Sequence, residues 1–144
     1  MRKYIFFIFV WMLIISCENS IKSDLEKFQI GKYLYSAFDT SGHELANGRI
    51  ELNFDNGNSL KGIWNLSPTK TLYENHPHVG IGNLIGSFNN DTIWVNLHPG
   101  WADHNVILKG VYENGQINGS WEYISFVGWT DGGDFEAEYV ENED

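Results

Sequence analysis

From Gly31 onward apolar and polar residues alternate, and no stretch keeps a helical period for long. Alternation is the mark of strands with one buried and one wet face, as in antiparallel sheet. The pattern predicts eight strands, over 32–38, 48–54, 59–66, 81–88, 92–98, 105–112, 116–124 and 134–140. In the second, Ile50, Leu52 and Phe54 share a face opposite Glu51 and Asn53. In the last, Phe135, Ala137 and Tyr139 point inward while Asp134, Glu136 and Glu138 point out. Trp94 falls opposite Ile93, Val95 and Leu97, which turns it outward and makes it a candidate protein-contact position.

A short repeat runs through these strands: Leu60-Lys61-Gly62-Ile63-Trp64, Leu84-Ile85-Gly86-Ser87-Phe88, Leu108-Lys109-Gly110-Val111-Tyr112 and Ile117-Asn118-Gly119-Ser120-Trp121. Each reads aliphatic, any, glycine, any, aromatic. At a period of two all three named positions share a face, and a glycine there lets a strand coil sharply enough to close a small barrel. The connections sort into two kinds. Asp55-Asn56-Gly57-Asn58, Asn89-Asn90-Asp91 and Glu113-Asn114-Gly115 are short, and Asn-Gly suits tight hairpins. The other four are longer. In an up-and-down sheet alternate connections lie at opposite ends, which predicts a shut base and an elaborated mouth. The expected fold is all-β: a single eight-stranded antiparallel up-and-down barrel over 31–140, with an acidic tail at 141–144.

Ahead of the barrel the chain opens Met1-Arg2-Lys3, then runs apolar from Tyr4 to Ile15. That is too short for the roughly 20 residues of a spanning helix, and it has the layout of a signal peptide over 1–16. It ends Ile14-Ile15-Ser16-Cys17, which resembles the bacterial lipobox, and Cys17 is the only cysteine. The resemblance implies a lipoprotein tethered through a lipidated Cys17, with 17–30 as lipid site and polar spacer. It also implies a place in the cell envelope, by preference a Gram-negative outer membrane, with the bilayer as partner through the anchor. With Cys17 acylated, no disulfide and no thiol chemistry remain. Removal of 1–16 takes away Arg2 and Lys3, two of the nine basic residues, and none of the 19 acids, moving the formal charge from −10 to −12. Such a surface repels phosphates, which argues against nucleic acid as a partner.

In strand number, connection lengths and Gly-x-aromatic strands, residues 31–140 resemble the calycins, the lipocalin-like and avidin-like barrels. The first full Gly-x-Trp unit, Gly62-Ile63-Trp64, falls on the third strand and not the first, where lipocalins carry theirs. The resemblance implies a barrel that binds a small ligand.

All five histidines map to the expected mouth or its edge, together with Tyr73, Trp101, Trp129 and Asp131. Three readings compete. In the first, Tyr73, Trp101, Trp129, Asp131 and His43 line a site for a small apolar or aromatic molecule, neutral or cationic, with no cofactor required. In the second, His76, His78, His98, Asp103 and His104 hold zinc or copper, since His-Pro-His on an extended segment sets two imidazoles on one side. In the third, a His–Asp pair does acid–base work, although no nucleophile motif, phosphate loop or paired carboxylates accompany it. A fourth possibility needs no ligand. Phe54, Trp64, Phe88, Tyr112, Trp121, Tyr123, Phe135 and Tyr139 could fill the lumen of an interaction or inhibitor module.

Overall fold

The computed structural model describes residues 28–141. The leader, Cys17, the spacer up to Lys27 and tail residues 142–144 lie outside the described residues. Eight strands follow one another: β1 (Gly31–Asp39), β2 (Glu44–Phe54), β3 (Ser59–Pro68), β4 (Gly80–Asn89), β5 (Thr92–Asn96), β6 (Asn105–Glu113), β7 (Gln116–Ser125) and β8 (Gly128–Val140). Each pairs antiparallel with its sequence neighbours, and β8 returns to β1 to close the barrel. Among the described residues the one helical element is a 3₁₀ turn, Thr71–Tyr73. The fold is the up-and-down barrel that the alternation predicts.

Two strands start earlier than the pattern suggests. β2 begins at Glu44 because Gly48, which reads as a break, is paired with Tyr35 and Leu66. A Cβ at Gly48 would lie 2.2 Å from the Asn65 carbonyl oxygen, so glycine there allows the two backbones to close up. β8 begins at Gly128, six residues before the expected start, with Asp131, Gly132 and Gly133 laddered to Tyr123, Glu122 and Trp121. This segment has no alternation, which is why it reads as loop. The consequence corrects the expected mouth. The β7–β8 connection is only Phe126-Val127 and the β1–β2 connection only 40–43, leaving two long segments, 69–79 and 97–104.

The opposite end is shut. Asn90, Asp91 and Asn114 take positive φ in its tight turns, as does Gly115 beside Asn114. Phe28, just ahead of β1, plugs the base: its ring stacks on Phe88 at 4.2 Å and meets Tyr112 edge-on at 5.0 Å. The Tyr33 hydroxyl donates to the Gln29 carbonyl, and the Tyr112 hydroxyl donates to Gln29 Oε1 at 3.2 Å. Between base and mouth the lumen is solid with Tyr33, Tyr35, Trp64, Trp121 and Phe135, interleaved with Leu and Ile. Side chains alone can fill eight strands. Phe54, expected among the lumen rings, instead sits partly exposed at the end of β2, edge-on to Phe28 at 5.9 Å. Trp94 lies on the outer face.

Candidate functional site

The long segment 69–79 does not stand up from the mouth; it folds across it. Its start is fixed by Thr69, whose N–H donates to the Leu45 carbonyl at 3.0 Å. Its turns are closed by Tyr73 N–H to the Lys70 carbonyl at 2.9 Å and His76 N–H to the Tyr73 carbonyl at 2.9 Å. The end of the segment dips into the lumen with His78, which is wholly buried. His78 Nε2 lies 2.9 Å from the Tyr35 hydroxyl on β1, and the ring meets Trp121 of β7 edge-on at 4.5 Å. His76 stacks on His78 at 5.5 Å and reaches Trp121 at 5.4 Å. One segment thus touches β1 and β7 and lids the barrel.

The protonation states follow from these contacts. His78 N–H donates to His76 Nδ1 at 3.3 Å, which puts the His76 proton on Nε2. That atom lies 3.5 Å from Asp131 Oδ2, an ion-pair distance but no hydrogen bond. Burial lowers the His76 pKa, with Asp131 pulling the other way. Burial also holds His78 well below the ordinary imidazole value, helped by repulsion from His76 and His98, so it is neutral. Its Nδ1 is buried with no partner. Tyr35, facing it, is pushed well above the usual phenol value by the same burial.

Beside the lid lies an open cleft of about 450 Å³, lined by Trp64, Val79, Gly80, Ile81, His98, Trp101, Asp103, His104 and Tyr123. Its far wall is the segment 97–104, which is held by a short relay. Asn96 Nδ2 donates to Asn105 Oδ1 at 2.7 Å, Asn105 Nδ2 to the Trp101 carbonyl at 3.2 Å, and His98 N–H to Asn96 Oδ1 at 2.8 Å. His98 Nε2 donates to the Pro77 carbonyl at 2.9 Å, joining the two long segments. Burial lowers the His98 pKa against that bond. His104 meets His98 edge-on at 4.8 Å and faces the Tyr123 hydroxyl through Nδ1 at 3.0 Å. Trp64 is anchored behind them, donating from Nε1 to the Leu97 carbonyl at 2.6 Å. The cleft therefore has aromatic walls, with Ile81 and Trp101 exposed at its rim and Asp103 half-buried among the lining residues.

The residues predicted for the mouth divide. Trp101, Asp103, His98 and His104 come together at the cleft. Tyr73 packs against His76 within the lid at 6.5 Å. Asp131 is next to His76, on β8 and not in a loop. Trp129 is also on β8, paired with Ile124, and does not line the cleft. His43 sits in the exposed β1–β2 turn, 3.3 Å from Asp39 Oδ2. Asp39 accepts from His43 N–H at 2.9 Å and Ser41 N–H at 2.8 Å, and the first of these bonds leads in lowering its pKa. Trp64 and Tyr123, expected in the lumen, also line the cleft, and so do Val79, Gly80 and Ile81, which no motif marks in the sequence. The clue for Tyr123 was position: two residues beyond Trp121 on the same face, it lies at the mouth opposite Val106.

The five residues considered for a metal are not arranged as one centre. His78, His98 and His104 each aim a ring nitrogen at a protein partner, and among the described residues no group of three or more His, Cys, Asp or Glu is set to hold an ion.

Taken together, the chain is a small closed eight-stranded β-barrel with a packed lumen, a histidine-bearing lid and an aromatic cleft at one end. No family model matches it, and no curated protein matches it either.

Proposed function

We propose that the chain is a membrane-anchored lipoprotein whose barrel binds a small molecule in the cleft beside its lid, with the lumen kept closed. What supports this is the cleft's construction: Trp101 is 63 % exposed, yet its backbone is held by Asn105 and His98. A preorganised, solvent-facing indole beside Tyr123 and His104 gives a planar ligand a stacking surface without an ordering cost. Asp103 supplies the one carboxylate among the lining residues. The fitting ligand is apolar or aromatic and neutral or cationic.

Native mass spectrometry on the full chain, gently solubilised from its host, is the direct test. A small molecule that is lost on denaturation is the expected result. Trp101→Ala should weaken its binding at least about tenfold, with Tm held, because the side chain packs on little else. Trp129→Ala should leave the affinity unchanged. A bare mass after incubation with lipid and metabolite panels, or equal affinity for Trp101→Ala, overturns the reading.

The anchor rests on Ile14-Ile15-Ser16-Cys17. Several acyl chains on one residue would give durable attachment, since each buried methylene contributes about 0.8 kcal/mol. Cys17→Ser should abolish incorporation of labelled palmitate and leave the protein unprocessed or unlipidated. Acylation persisting in that variant removes the assignment.

A further inference from the structure

The exposed large apolar residues are unevenly placed. Leu72, Ile81, Trp101, Phe126, Val127 and Trp129 are the most exposed of them among the described residues, from 63 % for the two tryptophans to 86 % for Val127. All six lie at the mouth, on segment 69–79, the start of β4, segment 97–104 and the β7–β8 hairpin. On the barrel wall and base none exceeds the 57 % of Val111. The hairpins give the sharpest contrast. At the base the turns are built from Asp, Asn and Gly, and the β1–β2 turn at the mouth, Thr40-Ser41-Gly42-His43, is polar too, whereas the β7–β8 hairpin turns through Phe126 and Val127. A two-residue tip gains nothing structural from such side chains and loses solubility by them, which marks a surface that is covered in use.

The charge around this crown narrows what covers it. Asp39, Glu44, Glu74, Asp103 and Asp131 stand on or beside the mouth connections, against Lys70 alone among lysines and arginines there. Anionic lipid heads would be repelled, and so would a second copy presenting the same acids. Residues 18–27 of the chain itself are mostly polar, and 141–144 are acidic. The chain also reaches the barrel at the base, through Phe28, so under the lipid-anchor reading the mouth is the end turned away from the membrane.

We propose that the crown docks a partner protein through an apolar patch flanked by lysine or arginine, with Phe126 and Val127 as the inserted tip. Ile81 and Trp101 also line the cleft, but Phe126, Val127, Leu72 and Trp129 do not, so the inserted tip is separate from the ligand site and its variants test docking apart from ligand binding. The test is site-specific photocrosslinking in the native host on the full-length chain, with a photoreactive residue in place of Phe126 or, as control, Asn56 at the base. The expected result is one protein adduct from position 126 and none from position 56, its crosslinked peptide combining apolar and basic residues. Purified and titrated, that partner should bind at least tenfold more weakly at 500 mM salt than at 50 mM. Phe126→Ser with Val127→Ser should weaken it about a hundredfold with Tm unchanged. Crosslinks only to lipid, to a second copy or to the chain's own N-terminal residues overturn the proposal, as do identical adducts at both positions or none at either.

Discussion

Gly62→Ala is expected to lower Tm by about 10 °C or more, although it adds a single methyl group. A Cβ at Gly62 would stand 1.7 Å from the carbonyl oxygen of Glu51 and 3.2 Å from Leu84 Cδ1. The first neighbour is backbone of β2, where Gly62 is laddered to Leu52. It cannot rotate away as a side chain would, so β2 and β3 must separate. Separation there breaks the tight coil that brings β8 back to β1. Overpacking of this kind costs about 3 kcal/mol or more when backbone must move, and a domain of this size loses roughly 4 °C per kcal/mol. Gly100→Ala is the control, because a Cβ there meets nothing within 4 Å; its melt should superimpose on the wild type's. Circular dichroism melts of the two variants decide the matter. A Gly62→Ala protein melting within a degree or two of wild type would mean that the barrel is not closed as tightly as its register implies.

That glycine also shows what a sequence of this kind gives away. The repeat that carries it marks positions where an aliphatic residue, a gap and a ring line one face, and all four copies do face inward: Leu60, Trp64, Leu84, Leu108, Tyr112, Ile117 and Trp121 are buried and Phe88 packs against them. Strand period and turn chemistry are local properties, so number, order and direction of the strands could be read directly. The lid could not. His78 closes on Tyr35, 43 residues away, and nothing in Asn75-His76-Pro77-His78 distinguishes a loop that enters the barrel from one that waves above it. The same holds for Trp129 and Asp131. They look like loop residues because Gly132-Gly133 interrupts the alternation, yet those glycines permit close pairing: a Cβ at Gly133 would lie 2.0 Å from the Phe38 carbonyl oxygen. The candidate site was therefore legible as an end of the barrel and as a set of residue types. Which members meet depends on how two long segments pack, and packing at that range leaves no periodic trace.

The lid's chemistry leads to a strong dependence of stability on acid. In the unfolded chain His78 titrates near 6.5; in the fold burial lowers that value well below it. Above pH 6.5 both states are neutral and His78 makes no pH-dependent contribution. Below it the unfolded chain takes up a proton that the native state refuses, so stability falls as pH falls, until the folded pKa is passed. One such group contributes a slope of up to about 1.4 kcal/mol per pH unit. His76 and His98 are shifted in the same direction, both chiefly by burial, and add in the same window. Asp39 acts elsewhere: its lowered pKa protects the fold only above the carboxylate range. The expected result is a protein that keeps its stability from pH 8 to 7 and loses about 2 kcal/mol between pH 6.5 and 5, measured by urea unfolding. His78→Phe keeps a ring against Trp121 and removes the proton. At pH 7.5 it should be less stable by about 1–3 kcal/mol, since the buried Tyr35 hydroxyl loses its partner. Its acid slope should be shallower by close to one proton, so the gap to wild type narrows as pH falls. The absolute loss alone would say only that His78 is well packed. The change of slope is the decisive part, because it requires a neutral imidazole shut away from water; equal slopes in the two proteins would place His78 in solvent and the lid off the mouth.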